Sequence, residues 1–226
     1  MNIGRGLLGC AAAIAAVLAP LAAKALERDC RPQLALATPS VSPELFQVAG
    51  SGPVGFVFDS SNNPQFPSPS LACRRREHLA AGDIVVVTGR LGPFVCATIV
   101  GPPPAIHETH GWAPVARLVR INGGGARWAG TWRTSSDQNI TIRKRGRDGL
   151  FLTGSATWGG GDAGRAAEGL VNTGAFEARA LPSGDQLRFA SGGCAGRMWH
   201  LGPYLVVGDN NRCGGMNVTF SGIYRR

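Results

Sequence analysis

From about residue 127 onward the chain is divided into eight short apolar segments, 127–133, 139–144, 150–155, 175–180, 186–190, 196–200, 204–208 and 216–224, with turn-forming residues between them. Within these segments apolar and polar residues alternate. Ile140 and Ile142 stand against Thr141 and Arg143, Phe176 and Ala178 against Glu177 and Arg179, and Val218, Phe220 and Tyr224 against Asn217, Thr219 and Ser221. A period of two puts one face on a core and the other in water, as in antiparallel strands. Pro182-Ser183-Gly184-Asp185 and Arg145-Gly146-Arg147-Asp148-Gly149 have the chemistry of hairpin turns. Eight strands at this spacing predict a closed antiparallel barrel. The 33 Gly and 15 Pro fall between short apolar runs along the whole chain, which extends the all-β reading to its other half. A length of 226 residues with 44% hydrophobic residues is enough for one or two domains and excludes a disordered or collagen-like polymer.

The first half is less regular. Residues 39–69 are rich in Pro, Ser, Gly and Asn around one apolar insert, Val54-Gly55-Phe56-Val57-Phe58, and read as irregular chain with one or two edge strands. After Cys73 the pattern sharpens. Gly82-Asp83 is a turn, Ile84-Val85-Val86-Val87 a buried strand, Arg90-Leu91-Gly92 a turn, 94–100 a second strand and Gly111-Trp112-Ala113-Pro114-Val115-Ala116-Arg117-Leu118 a third. This succession over about residues 78–120 resembles the bacterial SH3 domains, which are small five- or six-stranded barrels. The resemblance implies that Trp112 is packed on such a barrel or lines its peptide groove. The final stretch, from Gly202-Pro203-Tyr204 through Asp209-Asn210 and Cys213-Gly214-Gly215 to Tyr224-Arg225-Arg226, resembles the C-terminal module of secreted bacterial proteins allied to lysozyme-inhibitor lipoproteins. That likeness implies a lipocalin-like form for the barrel. Asn122-Gly123-Gly124-Gly125 reads as a flexible boundary, so the expected units are 26–121 and 122–226.

The compartment is read from the N-terminus. Arg5 precedes an uncharged run from Gly6 to Leu21, followed by Ala23-Lys24-Ala25, the pattern of a secretory signal peptide over residues 1–25 with cleavage after Ala25. The apolar run falls short of the roughly 20 residues of a spanning helix, so no transmembrane segment is expected after cleavage. Leu7-Leu8-Gly9-Cys10 has the look of a lipoprotein box, but the apolar segment mostly follows Cys10 instead of preceding it. Export leaves Cys30, Cys73, Cys96, Cys194 and Cys213 where disulfides persist. Cys194 and Cys213 flank a short stretch and are the favoured bridge; two of Cys30, Cys73 and Cys96 form a second, and the spacing leaves open which two. The expected location is secreted or periplasmic.

Charge divides the chain unevenly. Residues 26–121 hold 8 Arg against 7 Asp plus Glu, net +1, whereas 122–226 hold 13 Lys plus Arg against 7, net +6. Arg143, Lys144, Arg145 and Arg147 gather at one hairpin tip, and attraction to an anionic envelope surface is the partner they suggest. Nucleic acid is disfavoured by export. Trp128, Trp132 and Trp158 read as barrel core.

Catalytic and metal patterns do not assemble. Gly159-Gly160-Gly161-Asp162-Ala163-Gly164 has the spacing of a dinucleotide loop but no parallel βαβ unit around it. His107-Glu108-Thr109-His110 lacks the second spacer of a zinc-protease helix and follows three prolines, so a solvated loop is expected there. Cys96 with His107 or His110 would be a nucleophile and base only if Cys96 left its apolar strand. Asp209-Asn210-Asn211 begins like a calcium loop, which Cys213 interrupts. With no cofactor, metal or catalytic set expected, the sequence reads as a non-enzymatic envelope binding protein. An SH3-like module touching cell-wall polymer or an envelope protein through Trp112 would stand beside a basic barrel. The alternatives are an inhibitor of a lysozyme-type hydrolase and a small-ligand carrier with a hollow barrel.

Overall fold

The computed structural model describes residues 30–57, 66–68, 73–104, 106–134 and 137–226. The expected signal peptide, its cleavage point and Cys10 lie outside the described residues, as does Phe58. Two antiparallel sheets follow each other along the chain. The first comprises β1 (Glu44–Val48), β2 (Val54–Val57), β3 (Arg74–Leu79), β4 (Ile84–Leu91), β5 (Phe94–Val100), β6 (Glu108–Pro114) and β7 (Leu118–Arg120), in the spatial order β3-β2-β6-β5-β4-β1-β7. A 3-10 turn, Val115–Arg117, joins β6 to β7, and the helix α1 (Pro32–Leu36) precedes β1. The second comprises β8 (Gly130–Arg133), β9 (Gln138–Arg145), β10 (Gly149–Trp158), β11 (Asn172–Ala180), β12 (Gln186–Ser191), β13 (Cys194–Leu201), β14 (Tyr204–Asp209) and β15 (Gly222–Arg225), with a helix α2 (Ala163–Ala167) between β10 and β11.

The second sheet is an eight-stranded, nearly closed antiparallel barrel in the order β11-β10-β9-β8-β15-β14-β13-β12. Full closure was the expectation. The seam between β11 and β12 carries no ladder, and Pro182, which has no N–H to donate, stands where one would begin. The inward residues include Trp128, Trp132, Ile140, Ile142, Leu152, Phe176, Phe189, Met198, Leu205, Phe220 and Tyr224, all buried in one cluster. Phe176 stacks on Phe189 at 4.6 Å and meets Phe220 edge-on at 4.8 Å. The barrel interior is therefore packed with side chains.

Several expectations change. β1 and β2 are internal strands of the first sheet, β1 between β4 and β7 and β2 between β3 and β6. Each buries its own apolar residues, Leu45, Phe46 and Val48 in β1 and Val54, Phe56 and Val57 in β2. The Pro- and Gly-rich surroundings form the connections. Glu108 to His110 open β6 and do not form a loop. The last segment pairs only from Gly222, because residues 216–221 wrap a buried carboxylate. Asp209 accepts from Thr219 Oγ1 at 2.7 Å, Phe220 N at 2.8 Å and Ser221 Oγ at 2.9 Å. Ser221, expected on the wet face, is buried for that reason. The same contacts saturate Asp209 with donors from its own chain, which makes it a structural acceptor.

Two disulfides close the chain, Cys194–Cys213 as favoured and Cys30–Cys96 from the open set, while Cys73 is buried and belongs to neither. Their separations of 19 and 66 residues correspond to about 3 and about 4 kcal/mol of loop-closure entropy removed from the unfolded chain.

The run Ile84-Val85-Val86-Val87 is apolar on both faces because β4 is covered on both. Val85 and Val87 face the first sheet's own core with Phe46, Phe56 and Leu79. Val86 faces a second core shared with the barrel, formed with Leu36, Leu45, Val100, Trp199, Tyr204, Val206 and Ile223. Tyr204 Oη donates to the Ile84 carbonyl at 2.8 Å and Arg225 Nη1 to the Val100 carbonyl at 2.6 Å across this layer. Arg197 donates to the Thr38 and Pro39 carbonyls at 2.9 and 2.6 Å. The stretch 122–125, expected to be flexible, is pinned at Gly123, where a Cβ would come within 2.5 Å of Gly202 N. α1 lies so close to β14 that a Cβ on Gly208 would stand 2.1 Å from the Leu36 carbonyl oxygen. We expect Gly208→Ala to displace α1 and lower stability by about 1–3 kcal/mol, measured by chemical denaturation, with hydrogen exchange accelerated in residues 33–37.

Candidate binding surfaces

The first surface is a groove of about 350 Å³ on the first sheet, between the β2–β3 excursion and the 3-10 turn. Val54, Val57, Phe94 and Pro114 form its apolar part, and three arginines, Arg74, Arg75 and Arg117, with His78 its polar part. No carboxylate is among the described residues that line it, and Glu77 lies beside it, 3.7 Å from Arg75 Nε. The edge position of β3 explains the mixture: Arg74 to His78 are all exposed, while only Leu79 is buried. Arg117 is held in place by donating through Nη2 to the Ser51 carbonyl at 3.0 Å, and Arg75 Nη1 donates to the His110 carbonyl at 3.2 Å.

Trp112 does not line this groove. It is 4% exposed and packs with the Cys30–Cys96 bridge, Val57, Phe66 and Phe94 in a small core. Its register partners are Cys96 on β5 and Val57 on β2, so it lies beneath the groove and supports two residues of its floor. Cys96 is committed to a disulfide and has no thiolate to offer His107 or His110. His110 Nδ1 lies 3.2 Å from Glu108, which also accepts from Gln33 Nε2 at 3.0 Å. Among the described residues no group of three or more His, Cys, Asp or Glu is placed to hold a metal ion.

The second surface is a cavity of about 660 Å³ at one mouth of the barrel, where the β9–β10 hairpin, the chain before β8 and the C-terminal residue converge. Trp128, Leu150 and Pro182 make its apolar wall, and Arg127, Lys144, Arg147 and Arg226 surround it with one carboxylate, Asp148. The four-residue basic tip is split by strand alternation. Lys144 continues the inward face of Ile140 and Ile142, and Arg147 reaches over the turn to the same cavity. Arg143 and Arg145 are on the outer face and do not line it. Arg127, Trp128 and Arg226 join the site from distant positions. Arg226 is fixed by donating through Nη1 to the Ala129 and Arg127 carbonyls at 2.7 and 3.1 Å, with its guanidinium 4.7 Å from the Trp132 ring centre.

Beneath this mouth lies His200, buried and edge-on to Trp128 and Trp132 at 5.8 and 5.5 Å. Its Nε2 accepts the Arg127 N–H at 3.2 Å, which puts the ring proton on Nδ1. That Nδ1 is buried with no hydrogen-bond partner among the described residues. The glycine loop after β10 opens α2, whose Asp162 accepts from Arg165 N at 3.1 Å, in an antiparallel setting unlike a dinucleotide site. Trp158 is only partly buried, beneath the Arg165 guanidinium at 4.8 Å. No family model, curated protein or solved structure matches the chain.

Two outcomes follow for these supporting residues. Trp112→Ala empties the small core and should cost about 3–5 kcal/mol in denaturant unfolding. Burial, and then the charge of Arg226, holds the His200 pKa below its ordinary value of 6.5. Below that value the unfolded chain takes up a proton that the folded chain refuses, so the His200 contribution weakens as pH falls through about 6.5 and levels off at the folded pKa. Tm followed from pH 7.5 to 5 should fall more steeply in the wild type than in His200→Gln.

Proposed function

We propose that the protein is a non-enzymatic binding protein of the bacterial envelope whose first sheet recognises a carboxylate-bearing peptide, in peptidoglycan or in an envelope protein. The observation that carries this reading is the groove itself, in which an apolar floor is flanked by Arg74, Arg75, His78 and Arg117, with no carboxylate among the described residues that line it. A short peptide would rest its apolar side chains on Val54, Phe94 and Pro114, and the guanidinium groups would pair with its carboxylates. The succession β7-β1-β4-β5-β6, with one 3-10 turn between β6 and β7, supports an SH3-like reading of this sheet. In that reading β2 and β3 are an elaborated loop between the first two strands of the small barrel. Two disulfides fit an exported protein, and among the described residues no helix is long and apolar enough to cross a membrane.

Because Trp112 is a support, the contact residues are the ones to change. Purified protein should sediment with sacculi, and Arg74→Glu should weaken that binding about tenfold, a change of about 1.4 kcal/mol. Arg179→Glu, with the same change of charge on the exposed face of β11, should leave it unaltered. Equal loss in both variants, or no sedimentation of the wild type, overturns the reading.

A further inference from the structure

We propose that the mouth of the barrel is a separate binding site for a small amphipathic phosphomonoester, with the phosphate among the basic residues and a flat apolar body against Trp128 and Leu150. The proposal stands independently of the peptide groove. Its cavity, about 660 Å³, is within the range of small-molecule sites. Four cations border it against one carboxylate, and none of the four forms an ion pair among the described residues. Such an excess favours a ligand that brings more than one negative charge. A phosphomonoester carries about −1.5 to −2 near neutral pH, and planar guanidinium groups match its oxygens.

The apolar wall makes the site more than a basic patch. Trp128 and Leu150 are buried members of the barrel core that present an edge to the cavity, so the wall is rigid before any ligand arrives. Arg226 is likewise set in advance by two carbonyls and the Trp132 ring. A ligand would have little ordering to impose on that side. The filled interior also limits depth: the body of the ligand lies across the mouth and does not enter the barrel.

The split hairpin provides a test in which charge is held constant. Isothermal titration of the purified protein with 1-naphthyl phosphate should show saturable one-to-one binding. The double variant Lys144→Glu/Arg147→Glu, which alters the cavity, should weaken it at least about tenfold. Arg143→Glu/Arg145→Glu, which changes the outer face of the same hairpin by the same charge, should bind as the wild type does. Inorganic phosphate should bind at least about tenfold more weakly than the naphthyl ester if the wall contributes. Equal weakening by the two double variants, or equal affinity for the two phosphates, overturns the proposal. Capture on phosphatidylglycerol vesicles without titratable naphthyl phosphate binding also overturns it, since that result describes a charged surface and no cavity.

Discussion

The buried layer shared by the two sheets is the constraint on which the rest of the molecule depends. Val86, Leu45 and Val100 from one side meet Tyr204, Val206, Trp199 and Ile223 from the other, with Leu36 of α1 between them. Each of these strands also serves a core of its own, which is why β4 and β14 are apolar on successive residues. A sheet covered on both faces has no use for polar alternation. The chain is thus two sheets in series, each with its own core and one buried layer in common, and hydrogen bonds from Tyr204, Arg225 and Arg197 to opposing carbonyls cross that contact.

With these faces occupied, the two openings lie at an edge and at a rim. On the first sheet the free region is bounded by β3, whose outward residues are mostly charged. On the barrel it is the mouth, because the interior is filled by aromatic and aliphatic side chains. Both openings have an apolar floor that belongs to a core and a cationic border that belongs to the surface. Rigid floors with long charged side chains around them suit ligands held by a few placed contacts. Trp112 and Trp128 illustrate the two ways a buried ring can serve such an opening. Trp112 lies wholly beneath it and carries Val57 and Phe94, whereas Trp128 shows part of itself to the cavity.

Much of the barrel was legible because its signal is local. Ile140 and Ile142, or Phe176 and Ala178, alternate with polar neighbours within one strand, and turn residues mark where strands reverse. The Cys194–Cys213 bridge was legible for the same reason. Residues 216–221 misled because alternation there has another cause: Thr219 and Ser221 face inward to satisfy Asp209, a partner fixed by tertiary structure. The stretch 39–69 reads as irregular chain with one or two edge strands because Pro and Gly surround its apolar residues, although β1 and β2 lie inside the sheet. The pairing of Cys30 with Cys96 depends on where the N-terminal segment crosses β5, which no local pattern encodes.

The candidate sites were legible only in part, and the physical reason is convergence. The basic hairpin could be seen as a run, yet alternation sends Arg143 and Arg145 away from Lys144, and the cavity takes its other cations from Arg127 and Arg226. A cluster in sequence and a cluster in space coincide on a strand only for every second residue. The same reasoning bears on the net +6 of residues 122–226. A charge spread over outward faces mainly affects solubility and long-range attraction, and salt screens it within about 10 Å. Cations brought to the rim of an apolar cavity act at shorter range and beside low-dielectric walls, where each is less screened and its position counts for more than the total.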